Sequence, residues 1–75
     1  MEQESKTLIY KGMIQYILGS TNYTLNHIAQ FSHLSLDSIR AIYYHDLLQI
    51  SLNAEIQLLK LYQIVLEINS NQKIA

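Results

Sequence analysis

The sequence predicts an all-α fold in which four helices make one compact domain. Three observations lead there. No proline and only two glycines occur in 75 residues, so little in the chain interrupts helix. Apolar residues recur three and four positions apart through most of the sequence, the period of a helix with a buried face. Between 24 and 44, the stretch TLNHIAQFSHLSLDSIRAIYY sets small and apolar side chains where two short helices joined by a tight turn require them. The whole chain, 1–75, reads as a single domain, and a domain this small buries only about 60% of the surface its unfolded chain exposes.

The first helix is expected at about 5–18, with Ile9, Met13, Tyr16 and Ile17 on its inward face and Thr7, Lys11 and Gln15 on the other. Gly19 is expected to end it as a left-handed cap, and Ser20, Thr21, Asn22 and Tyr23 form a polar connection. Thr24 is the predicted N-cap of the second helix, 25–31, and Ser35 that of the third, where Asp37 sits favourably against the helix dipole. Ile28, Ala29, Leu34, Ile39 and Ile42 make the inward face of this pair, Ala29 being small enough to let the helices cross closely. The third helix frays after His45 or Asp46, and 47–50 leads to a fourth that Ser51 can cap and that carries Glu55 in its first turns. Tyr10, Tyr16 and Tyr62 read as core or interface anchors with a wet hydroxyl. The ends, 1–5 and 70–75, are expected to be flexible.

The spacing of Ile28 and Ala29, then Leu34, then Ile39 and Ile42, with a serine opening the second motif helix and helices on either side, resembles the lambda-repressor-like helix-turn-helix family over 6–67. Two positions depart from the family pattern. His33 stands where the family carries glycine, so the family's turn would require positive φ at His33. Ser32 stands where an apolar residue is usual, and Phe31 is the candidate to supply the missing bulk through a slightly rotated turn.

That resemblance implies a small transcriptional regulator that binds double-stranded DNA as a homodimer, laying the helix from Ser35 to Tyr44 in the major groove. Thr24, Asn26, His27 and Gln30 are the candidate contacts from the first motif helix, and Ser35, Leu36, Asp37, Arg40, Ala41 and Tyr44 those from the second. Arg40 leads this set because its planar fork can hold a guanine edge or a phosphate with two hydrogen bonds. Its structural alternative is an ion pair with Asp37 or Glu55. Leu36 and Ala41 suit a thymine methyl, whereas Asp37 tolerates the groove only by accepting from a cytosine amino group.

Composition narrows the function further. Five basic residues and a net charge of −1 leave little for phosphate neutralisation, so DNA binding would lean on neutral donors and helix N-termini. The absence of cysteine excludes disulfides and thiolate metal sites and suits a reducing cytoplasm. His27, His33 and His45 lack metal-ligand spacing, so neither metal nor cofactor is expected. No nucleophile triad, phosphate-binding loop or paired carboxylates occur, and no enzymatic activity is expected. The N-terminus does not read as a signal peptide, and no segment reaches the roughly 20 apolar residues of a bilayer span, so a soluble protein is expected.

The apolar residues of the fourth helix spread over an arc of roughly 240°, wider than one buried stripe. Leu61, Ile64, Val65 and Ile68 are therefore the candidate homodimer interface, the alternative being cover from 47–50 and the N-terminal residues. The competing function is a helical interaction module that keeps the helix-turn-helix without binding DNA and serves a protein partner.

Overall fold

A computed structural model describes the backbone of residues 2–74 and the side chains of residues 5–70. Four helices account for almost all of it: α1 (Glu2–Ser20), α2 (Leu25–Phe31), α3 (Leu36–His45) and α4 (Leu52–Ile74). The short helices α2 and α3 pack on each other, while α1 lies against α3 and α4, and α4 also against α2. Lys6 beside Glu55 and Tyr16 beside Asn69 set α1 and α4 running in the same direction.

Between them lies one core, built from Met13, Ile14 and Ile17 of α1, Ile28 and Ala29 of α2, Ile39 and Ile42 of α3, and Leu58, Leu61 and Val65 of α4. Burying each of the larger aliphatic side chains stabilises the fold by about 1.5–3 kcal/mol. The inward set expected for α2 and α3 is the one observed, with Leu34 half-buried against the same core. Leu48 and Ile50 of the 46–51 connection pack there too.

On α1 the buried face is rotated from the expected one. Ile9 is 61% exposed, whereas Thr7 and Ile14 are buried, so the inward line is Thr7, Tyr10, Ile14 and Ile17 with Met13 beside it. This line follows the same helical spacing as the expected one, and apolar residues on both sides of α1 made the sequence choice between them ambiguous. Gly19 is not a left-handed cap: it lies inside the helix, and no glycine has positive φ among the described residues. α1 runs on to Ser20; the Thr21 N–H makes one more helical bond, to the Ile17 carbonyl at 3.0 Å, and the Thr21 hydroxyl donates to that carbonyl at 2.7 Å and accepts from the Tyr23 N–H at 3.0 Å in the connection. The ends expected to be flexible are helical at 2–5 and 70–74, where no glycine or proline stops the helix; Met1 and Ala75 lie outside the described residues.

Polar contacts tie α1 to the rest. Lys6 Nζ lies 3.1 Å from Glu55 Oε1, to which the Tyr10 hydroxyl also donates at 3.1 Å. Lys11 reaches Asp46 at 2.8 Å, and Asp46 caps α3 in the left-handed conformation with φ 51°. Burial, then the hydrogen bond to Glu55 and its negative charge, push the Tyr10 phenol above its ordinary value of 10.0. Because the folded state holds this proton more tightly than the unfolded chain, the associated stability is complete below pH 10 and is lost as pH rises through the folded value. Urea melts of the wild type should therefore lose stability above about pH 10. Tyr10→Phe should lose less over the same range, and equal slopes for the two proteins would count against this assignment.

The turn between α2 and α3 supplies a second test. His33 has φ 59°, in the left-handed region that favours glycine. His33→Gly should be neutral or stabilising in thermal melts, while His33→Val should cost about 1–2 kcal/mol, since a branched side chain fits that region worst. A clear loss of stability with glycine would mean that the His33 side chain contributes contacts that outweigh its strain.

Candidate nucleic-acid interface

The geometry of the α2–α3 pair starts at its caps. Thr24 Oγ1 accepts from the His27 backbone N–H at 3.3 Å, and His27 Nδ1 accepts from the Thr24 N–H at 3.0 Å, a reciprocal box with histidine in the place usual for glutamate or glutamine. With Nδ1 accepting, the neutral ring carries its proton on Nε2. At the head of α3, Ser35 Oγ accepts from the Ser38 N–H at 3.1 Å and donates to Ser38 Oγ at 2.9 Å. The hydroxyls of Thr24 and Ser35 are thus engaged in holding helix starts.

Between these caps, the Leu34 N–H donates to the Ala29 carbonyl at 2.9 Å and the Ser32 N–H to the Ile28 carbonyl at 3.0 Å, which closes the turn tightly. Ser32 is completely buried, with its hydroxyl donating to the Ile28 carbonyl. Phe31 does not supply core bulk in its place, being 48% exposed. It packs instead on Tyr23 and stacks on His27, with ring centroids 5.1 and 6.2 Å away. At Ser32 a hydroxyl satisfied by a carbonyl is small enough to be buried. Reading the sequence for core residues alone missed this row of Tyr23, His27 and Phe31, although its spacing of four was the available signal.

On α3, Asp37, Arg40, Ala41 and Tyr44 fall on one side, opposite the buried Ile39 and Ile42, with Ala41 half-buried and the other three exposed. Asn26 and Gln30 are exposed on α2, one turn apart, and His27 is exposed beside them. Leu36, expected at the surface, packs against the core. Asp37, Ser38 and Ala41 line a shallow hollow with Gln49 from the connection after α3. Tyr44 lies edge-on to Tyr43, its ring centroid 4.9 Å away.

The charges around this face are few. Of the two expected ion-pair partners of Arg40, Glu55 is taken by Lys6 and Tyr10, and Asp37 makes no ion pair with it; Arg40 forms no ion pair with any described residue. Asp37 and Arg40 offset each other, and the outward side of α3 is close to neutral. No group of three metal-ligating side chains occurs among the described residues. No helix in the described residues is long and apolar enough to cross a membrane.

The candidate dimer residues divide. Leu61 and Val65 belong to the chain's own core, whereas Ile64 and Ile68 are 53% and 49% exposed. A groove runs beside them, lined by Tyr23, Phe31, Gln57, Lys60, Leu61 and Ile64. It continues past Thr21, Val65, Ile68 and Asn69. No protein-family model, curated protein or solved structure matches the chain.

Proposed function

We propose that this chain is a lambda-repressor-like helix-turn-helix domain that acts as a small, dimeric, cytoplasmic transcriptional regulator on double-stranded DNA. The observation that carries the reading is the outward side of α3, where Arg40, paired with no described residue, stands between Asp37 and Tyr44 and beside the small Ala41. A helix presenting that side to a major groove would bring the Arg40 fork to a guanine edge or a phosphate and Ala41 to a thymine methyl. The His27 ring, with its proton on Nε2, offers a donor to the backbone from α2, as do Asn26 and Gln30. The left-handed residue in the turn, at the position the family gives to glycine, adds support.

The second reading, an interaction module for a protein partner, rests on the near-neutral face and on the apolar groove along α4. The two separate in one assay. Fluorescence anisotropy with a pool of duplexes at low salt should show binding that weakens as salt rises. Its slope should be shallow, since each neutralised phosphate contributes only about 0.9 to it. Arg40→Ala should weaken binding by about 1–3 kcal/mol if Arg40 reads a base. No binding at low salt would remove the DNA reading, and an unchanged affinity in Arg40→Ala would remove Arg40 from it.

A further inference from the structure

The surface of α4 carries a knob, a hollow and two opposite charges that pair with no described residue. Ile64 and Ile68 project from it half-exposed, one turn apart. The hollow lies beside the turn that precedes Ile64, bounded by Tyr23 and Phe31 on one side and by Gln57, Lys60 and Leu61 of α4. Neither Lys60 nor Glu67 forms an ion pair with a described residue, and both are exposed.

These features have a definite arrangement about Ile64. At about 100° per residue, Lys60 and Glu67 fall about 40° and 60° to one side of Ile64, while Ile68 and Leu61 fall about 40° and 60° to the other. Along the axis, Lys60 lies about 6 Å before Ile64 and Glu67 about 4.5 Å after it, with Ile68 about 6 Å after it. When two identical helices pack antiparallel, like edges meet, and each residue stands level with the one equally far beyond the two-fold axis.

A two-fold axis through Ile64 therefore satisfies two requirements at once. On one edge it brings Lys60 level with Glu67 of the second copy to within about 1.5 Å of axial offset, and does so twice. On the other edge it brings Ile68 of the second copy level with Lys60, where the hollow walled by Tyr23, Phe31 and Leu61 opens. The hollow holds about 370 Å³, room for a branched aliphatic side chain. Charge complementarity and shape complementarity select the same axis.

We propose that the partner of this groove is a second copy of the chain, docked antiparallel along α4 with Ile68 in the hollow beside Phe31 and Lys60 paired with Glu67 of the other copy. This deepens the dimeric part of the function proposed above, yet association is measured without DNA, so either can fail alone. It also narrows the interface, because Leu61 serves as the floor of the hollow and Val65 stays in the core.

Sedimentation equilibrium over micromolar concentrations, with circular dichroism to confirm helicity, tests it. The wild type should be a dimer and Ile68→Asp a monomer. Lys60→Glu and Glu67→Lys should each weaken association, by about tenfold, because each turns two attractive pairs into two repulsive ones. An equimolar mixture of these two variants should recover wild-type affinity, since every pair in the mixed dimer is again attractive. That recovery is specific to pairing between copies. A monomeric wild type, a dimeric Ile68→Asp, charge variants that associate as the wild type does, or a mixture no tighter than its components would each overturn the proposal; should Ile68→Asp lose helicity, the charge variants and their mixture decide it.

Discussion

The turn between α2 and α3 is the constraint on which the rest of this molecule depends. Its closing bonds, His33 N–H to the Gln30 carbonyl and Leu34 N–H to the Ala29 carbonyl, tie the start of α3 to the end of α2. The geometry needs a residue at φ 59°, and the chain places histidine there, accepting strain that glycine would avoid. Fixing the roll of α3 does two things at once. It turns Ile39 and Ile42 onto Ile28, Ala29 and the long helices, and it leaves Asp37, Arg40, Ala41 and Tyr44 facing away. Inserting or deleting one residue in this turn would roll α3 by about 100° and take Ile39 and Ile42 off the core.

The parts of the fold readable from sequence were those decided by local chemistry. Thr24 and Ser35 cap their helices because a short hydroxyl side chain before a helix has a nearby orphan N–H to accept from, wherever it occurs. Whereas positive φ at His33 was expected only from the family resemblance, the bounds of α2 and the end of α3 near Asp46 were legible for the same reason. Tertiary choices were not. On α1, Ile9 lost to Ile14 because apolar residues lie on more than one side, and only the positions of α3 and α4 decide between them. Gly19 stays helical, and the chain leaves α1 after Ser20 with no left-handed residue, the Tyr23 N–H turning to the Thr21 hydroxyl. Of the expected dimer residues, Leu61 and Val65 proved to be the side of α4 that packs inward, which its nearly all-round apolar pattern does not reveal.

The candidate site was legible as a set of residue types but not as a set of roles. Exposure agrees with expectation at Asn26, His27, Gln30, Asp37, Arg40 and Tyr44, whereas Leu36 turned inward and the hydroxyls of Thr24 and Ser35 hold backbone amides. Pairing of Lys6 with Glu55 and of Lys11 with Asp46 was invisible in one dimension, because the partners lie on different helices. That pairing matters to the chemistry. It ties up two of the few cations and leaves Arg40, offset by Asp37, as the cation on the outward side of α3, so any nucleic-acid affinity must come from short-range hydrogen bonds more than from steering.

Amide-resolved NMR of the labelled protein, titrated with short duplexes at low salt, tests the role of α3 most directly. Binding through the helix that the turn presents requires shifts concentrated at the amides of Ser35, Asp37, Arg40, Ala41 and Tyr44, with smaller ones at Asn26, His27 and Gln30. Shifts confined to Lys60, Ile64 and Ile68, or no shifts at all, would contradict it.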